Sequence, residues 1–312
     1  MTAASWPAGA RALSIGEALV DVVHDRAGGV AEHPGGSPLN VAVGLARLGA
    51  TVQLASCLGD DAHGAMVRRH VEASGAALAP GTLGAIPRTS TAQATLAADG
   101  GASYEFALEW RPARPEVAGF DVVHTGSIAA YLEPGATTVL DAVGEAAASA
   151  LVSFDANVRP TLIGSRGAAL ARVGAFARIA QLVKMSDEDA AWLYPERTAE
   201  QSAAALAAET GAVAVITRGA AGGLLAAGAE VLDFPAFPIT TVDTVGAGDS
   251  FMAGFLFAVV ADGLAPALRW RAATAGDLLP AARFAAACAA ITASRAGADL
   301  PSRDEVTAFL AG

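Results

Sequence analysis

Apolar positions fall in short blocks whose period switches along the chain between two and 3.6. "RALSIGEALVDVV" reads as a β-strand that runs on into a second extended segment, and "HPGGSP" as a turn-rich break. "LNVAVGLARLGA" has apolar residues at helical spacing and ends at Gly49, a C′ glycine by position. "TVQLASCLG" predicts a strand and "DDAHGAMVRRHVEASGA" a helix. Further on, "FDVVHTGS", "ALVSFDANVRP", "LVKMS" and "AVAVITRG" predict strands. Helices are predicted at "PGATTVLDAVGEAAAS", "DEDAAWLY" and "QSAAALAAETG". "GLLAAGAEVLDFPAF" is a Gly-broken strand pair, and "DSFMAGFLFAVVADG" and "LLPAARFAAACAAITASRAG" are long helices. Repeated βα units predict an α/β fold: a doubly wound, mostly parallel sheet with helices on both faces.

Residues 90 to 110 break this alternation. Asp99-Gly100-Gly101 signals a turn, and Tyr104, Phe106, Leu108 and Trp110 alternate on one face. That is a β-hairpin pattern. A hairpin inside a βα series predicts a small β-sheet projecting from the main body as a lid. Its apolar face needs cover from substrate, from a partner subunit or from its own domain.

Composition narrows the function. The chain has 312 residues, 53% of them hydrophobic, and a formal net charge of −11. That balance argues against nucleic acid and anionic membrane surfaces, which require basic patches. Lys184 is the only lysine, so no Gly-Lys pair exists and a Walker A loop is excluded. The two cysteines, Cys57 and Cys288, lie in apolar surroundings and suggest no disulfide framework. Glu17 and Asp21 interrupt the first apolar stretch with no basic region before it. The run "FMAGFLFAVVA" is too short to span a bilayer. The expectation is a soluble, cytoplasmic protein without signal peptide.

Ligands of such sheets bind beyond the carboxyl ends of the strands. Polar residues there are Asp155-Asn157-Arg159, Ser186 to Asp189, Thr217 to Gly222 and Asp243 to Asp249. In "DTVGAGDSF", Gly246, Ala247 and Gly248 leave backbone amides open to a ligand oxygen. The helix starting near Asp249 adds free N–H groups and the positive end of its dipole. This makes an anion site, with Asp249 at its rim as a base. The residues alone fit equally an Asp-capped turn. A dinucleotide fingerprint fails, because its third glycine would fall at Phe251.

This stretch resembles the C-terminal signature of the ribokinase-like (PfkB) carbohydrate kinases, DTxGAGDxF. Gly35, Gly36 and Asn40 in "GGSPLNVAVGLARLG" resemble the family's GGxxxN pattern, and "GEALVDVV" its first strand. "SFDANVRP", "VKMSDED", "VITRGAAG" and "AACAAITASRAGA" follow in the family's order. The resemblance covers essentially the whole chain. It implies one kinase domain over residues 1 to 312, with lid strands from about 17 to 34 and 88 to 112.

It also implies ATP-dependent phosphorylation of a sugar hydroxyl with Mg²⁺ and a monovalent cation such as K⁺. Asp249 is then the base, and Gly246, Ala247, Gly248 and Asp249 form the anion hole. Asp21, Gly35, Gly36, Asn40, Phe106, Asn157 and Arg159 contact sugar. Lys184, Ser186, Thr217, Gly219, Gly222 and Cys288 serve nucleotide, together with the anion-hole glycines. Asp243 and the backbone at Val245, Thr292, Arg295 and Gly297 hold the monovalent cation. Ser186 to Asp189 stands where many members carry NxxE, so Asp189 acts on Mg²⁺ through water or, with Ser186, simply caps a helix. The departure favours the fructokinase-like branch. A 2-keto-3-deoxygluconate kinase and a catalytically silent sugar-binding protein are the alternatives. Dimerisation through the lid sheets is implied as well.

Overall fold

The computed structural model describes residues 4–24, 29–96 and 102–312. Its strands are β1 (Ala12–Ile15), β2 (Leu19–His24), β3 (Val30–Gly35), β4 (Val52–Ala55), β5 (Ala77–Leu78), β6 (Thr91–Leu96), β7 (Ala102–Ala107), β8 (Val122–Gly126), β9 (Leu151–Asp155), β10 (Leu182–Ser186), β11 (Val213–Thr217), β12 (Gly223–Ala227) and β13 (Glu230–Phe234). Its helices are α1 (Ser37–Arg47), α2 (Ala62–Ala73), α3 (Gly135–Ala146), α4 (Pro160–Ile163), α5 (Arg166–Ile179), α6 (Asp187–Leu193), α7 (Ala199–Thr210), α8 (Ala247–Ala261), α9 (Ala265–Arg269), α10 (Ala275–Ala293) and α11 (Arg303–Ala311).

Nine strands form the main sheet in the order β13-β12-β11-β10-β9-β8-β1-β4-β5. All neighbours pair in parallel from β11 to β5, and β12 and β13 add an antiparallel edge. Side chains alternate between two cores. Leu151, Leu182 and Val213 point toward α8 and α10, whereas Phe154, Val183 and Ile216 point toward α5 and α7. Burial on both faces is why these strands read as continuous apolar runs. The winding reverses between β1 and β8, and an open parallel sheet binds ligands at that switch point.

Helix α8 is buried along nearly its whole length and packs on α10. A Cβ added at Gly254 would lie 2.8 Å from Cys288 Sγ and 3.0 Å from Ala285 Cα, so glycine lets these two helix backbones approach closely. No helix of the described residues is long and apolar enough to cross a membrane.

The second sheet has the order β3-β2-β6-β7. It leaves the main sheet through Gly16–Ala18, after β1, and returns through Gly36 into α1. Two expectations change here. "HPGGSP" is not a break throughout: β3 continues through His33 and Pro34 to Gly35, paired with β2. Proline is tolerated because β3 is an edge strand. The alternation from Tyr104 to Trp110 also stops early, because β7 ends at Ala107. Trp110 is instead buried in the second core, with Nε1 donating to the Ala129 carbonyl. The turn at Asp99 to Gly101 and the side chain of Tyr104 lie outside the described residues.

Candidate active site

Two helix N-termini meet near the switch point. Gly36 precedes α1 at φ 117°, and a Cβ there would stand 2.4 Å from the Glu17 carbonyl oxygen. Only glycine fits this contact between the two crossings into the lid. A Cβ at Gly35 would lie 2.2 Å from Asp21 Oδ2, so this glycine makes room for the Asp21 carboxylate. From the first turn of α1, Ser37 Oγ donates to Asp249 Oδ1 at 2.6 Å. Asn40 Nδ2 donates to Asp249 Oδ2 at 2.8 Å.

Helix α8 starts after Gly246, which is left-handed at φ 75° and provides no side-chain cap. The Ala247 amide donates back to Thr244, and the regular ladder begins with Ser250 donating to Gly246. The amides of Gly248 and Asp249 have no acceptor among the described residues. Free N–H groups at a helix start are the raw material of an anion site. Asp249 is buried beside them, and burial raises its pKa from the ordinary aspartate value. The bonds from Ser37 and Asn40 and the charges of Lys184 and Arg159 oppose that rise.

The remaining predicted residues divide into groups. Asp21 is in register with Ala92, and Ala92 with Phe106, so Asp21 and Phe106 share one face of the second sheet. Phe106 lines a cavity of about 170 Å³ with Leu108, Ile128, Tyr131, Arg159 and Leu162. The exposed Arg159 donates to Asn157 Oδ1 at 2.6 Å, and Asn157 adopts φ 34°. Thr217, Gly219 and Gly222 form the turn between β11 and β12. A Cβ at Gly222 would meet the Phe234 carbonyl at 2.1 Å.

Asp243 accepts from the Val245 amide at 3.0 Å and the Gly297 amide at 2.9 Å, tying the entry to α8 to the loop after α10. Those two bonds lower its pKa, so it is an anion. The Thr292 hydroxyl donates to Ser250. The Thr292 carbonyl accepts from Arg295, whose side chain pairs with Asp299 and Glu305.

The remaining residues expected to serve nucleotide and Mg²⁺ sit as follows. Cys288 presents no surface to a nucleotide: it is 1% exposed and packed against Gly254. Lys184 is not open to solvent either, being ion-paired to Asp155. Ser186 and Asp189 form a capping box on α6, and the other Asp189 oxygen accepts from Val158. Asp189 thus ties the start of α6 to the Val158 segment after β9. Among the described residues no cluster of three or more His, Cys, Asp or Glu is placed to hold a metal ion.

Sequence reasoning missed Ser37 and Glu17, and marked Asp155 only as a polar residue at a strand end. Glu17 lies at the switch point, accepts from the Ala129 amide at 3.1 Å, and burial pushes it up to about 7. Asp155 is buried under the site, and burial raises it to about 6 against the opposing charge of Lys184.

A doubly wound sheet, a buried carboxylate and a free-amide helix start together have the form of a phosphoryl-transfer site. The chain belongs to the pfkB family of carbohydrate kinases, whose pattern, described as "pfkB family carbohydrate kinase", matches residues 10–305. It is 32% identical to a fructokinase of Klebsiella pneumoniae over 307 residues, 94% of this chain and 96% of that one. Among solved structures it resembles fructokinase with bound ATP from Xylella fastidiosa. That match has TM-score 0.82 and 25% identity, and covers 96% of this chain and 98% of that one. It also resembles a fructokinase double mutant from Vibrio cholerae O395 in fructose-, ADP- and potassium-bound form. There the TM-score is 0.80 and the identity 25%, with 96% and 98% covered.

Proposed function

We propose that this carbohydrate kinase transfers the γ-phosphoryl group of ATP to a hydroxyl of fructose. The observation that carries the reading is the Asp249 carboxylate, held by Ser37 and Asn40 beside the free amides of α8. Asp249 accepts the proton of the attacking hydroxyl. The amides of Gly248 and Asp249, presented by the turn through Gly246 and Ala247, stabilise the charge of the transferring group. Sugar lies between this point and the lid face bearing Asp21 and Phe106, with Gly35, Gly36, Asn40, Asn157 and Arg159 around it. ATP lies along the turn of Thr217, Gly219 and Gly222. The lid closes over the sugar and excludes water, which competes for the phosphoryl group. A second copy of the chain covers the outer lid face in a dimer.

Mg²⁺ would be held mainly by the ATP phosphates, a mode that needs few protein carboxylates. The donor set for a monovalent cation fits: an ionised Asp243 adjoins the carbonyl-bearing loops of Val245, Thr292, Arg295 and Gly297. Oxygen donors of this kind suit a hard cation. Bound there, it adds positive charge beside the amide cradle. A 2-keto-3-deoxygluconate substrate would require another arginine near the lid. Arg88 and Arg111 are the candidates for it, and Arg111 is paired with Glu109 at 3.5 Å.

A panel of fructose, ribose, 2-keto-3-deoxygluconate and adenosine, each offered with ATP, tests the reading through ADP release. Fructose is expected to give the highest kcat/KM. Tight fructose binding without turnover of any compound would instead identify a silent binding protein.

A further inference from the structure

The first connection into the lid sheet and the last one out of it meet at one residue of the body, Ala129. Glu17 lies between β1 and β2, where the chain enters the lid, and its Oε2 accepts from the Ala129 amide at 3.1 Å. Trp110 follows β7, where the chain leaves the lid, and its Nε1 donates to the Ala129 carbonyl at 3.2 Å. Ala129 belongs to a short 3-10 turn, Ser127–Ala130, that follows β8 and is buried throughout.

That turn needs to be held. Ser127 has φ 57°, a left-handed backbone that residues other than glycine adopt rarely. Such a conformation persists only where its surroundings enforce it. The Ser127 side chain bonds Glu17 as well, so one carboxyl grips the turn at two points. Glycine lets the lid entry pass this close: a Cβ at Gly16 would lie 2.2 Å from Pro38 Cγ and 3.2 Å from Ala129 Cβ. Trp110 is itself fixed, with its carbonyl accepting from the Gly135 amide at 3.1 Å. Glu17 is 5% exposed. Burying a polar group costs free energy unless it is hydrogen-bonded, and the bonds that Glu17 makes are to this turn. Asp249, by contrast, is held by Ser37 and Asn40.

The turn also reaches the sugar side of the site. Ile128, next to Ala129, lines the cavity of about 170 Å³ together with Phe106 of β7 and Arg159. One wall of that cavity therefore comes from the body and another from the lid, and the bonds to Ala129 join the two.

We propose that Glu17 is a positioning residue for the acceptor sugar. By clamping Ala129 to the lid entry, opposite Trp110 at the lid exit, it sets the spacing between Ile128 and Phe106. The inference rests on the placing of the sugar between Asp249 and the lid. Glu17 acts through Ile128 on sugar binding and leaves the transfer step and the nucleotide turn alone.

Two experiments test it. In the first, Glu17→Met fills the space and removes the acceptor, whereas Glu17→Gln keeps a carbonyl oxygen for the Ala129 amide. Glu17→Met should raise KM for fructose roughly tenfold, the worth of one buried hydrogen bond. Its kcat and its KM for ATP should stay within about threefold of wild type, the pattern of lost ground-state binding. Glu17→Gln should bring KM for fructose back to within about threefold. Trp110→Phe, which loses only the indole donor, should raise the same KM. Its effect combined with Glu17→Met should be less than the product of the two, because both act through Ala129. An unchanged KM for fructose in Glu17→Met, an equal rise for ATP, or a Glu17→Gln variant as poor as Glu17→Met would overturn the proposal.

The second experiment uses the wild-type protein and so survives a folding failure of Glu17→Met. Fructose should slow hydrogen exchange severalfold in a peptide spanning Ser127 to Tyr131, and ADP alone should not. Exchange that fructose leaves unchanged would overturn the proposal. If the wild-type enzyme does not turn over fructose, the substrate reading fails, and the clamp is measured with the acceptor that the panel identifies. If fructose is turned over and Glu17→Met leaves its KM alone, only the role of Glu17 fails.

Discussion

Replacing Ser37 with alanine tests how α1 sets the catalytic base. Ser37 Oγ donates to Asp249 Oδ1 at 2.6 Å in a buried setting. A hydrogen bond to a charged group contributes about 1.5–3 kcal/mol. It favours the ionised carboxylate, so its loss raises the Asp249 pKa further and lowers the ionised fraction below the limb by roughly ten- to a hundredfold. The direction adds to the rise that burial already causes. Asp249 must be ionised to accept a proton, so the acid limb of kcat/KM should move to higher pH and kcat/KM below it should fall by that factor. Above the limb, activity should return toward wild type, because Asn40 still holds the second oxygen. The assay is ADP release at subsaturating fructose across a pH series. Ser37→Thr keeps the hydroxyl and should leave the limb near its wild-type position. A limb that stays put in Ser37→Ala, or moves to lower pH, would refute the reasoning.

Gly254→Ala places a methyl group against Cys288 Sγ and Ala285 Cα. Overpacking of about 1–3 kcal/mol outweighs the gain of about 1 kcal/mol from alanine in a helix, so the urea midpoint should fall, and Cys288→Ala should restore part of it. Glu17 rises from its ordinary value to about 7 on folding. The folded state therefore holds a proton that the unfolded state releases, and stability present below the unfolded pKa is lost as pH rises through about 7. Glu17→Gln removes that loss, so chemical denaturation should show the variant gaining on wild type between acid and neutral pH by up to about 3 kcal/mol. Exchanging K⁺ for tetramethylammonium should lower kcat severalfold in steady-state assays, and an unchanged rate would remove the cation from the scheme.

The body of the fold was legible because each central strand is buried on both faces and so appears as an apolar run. The capping box on α6 was legible too, since Ser186 and Asp189 have the spacing such a box needs. Trp110 was misplaced for a physical reason: the chain leaves β7 at Ala107, and a period of two means nothing beyond a strand. The contacts that define the site were not local. Ser37 and Asp249 are 212 residues apart, and nothing near either shows that two helix starts converge. The Lys184–Asp155 pair likewise depends on strand register, which the two short segments do not carry.

The central claim is that Asp249 takes the proton of the attacking sugar hydroxyl. Asp249→Asn tests it most directly, because asparagine keeps the size and loses the basic oxygen. With fructose and ATP, kcat should fall by about 10²–10⁴-fold, the usual worth of a positioned base. ATP affinity measured by calorimetry should remain near wild type. A kcat close to wild type in this variant would contradict the account.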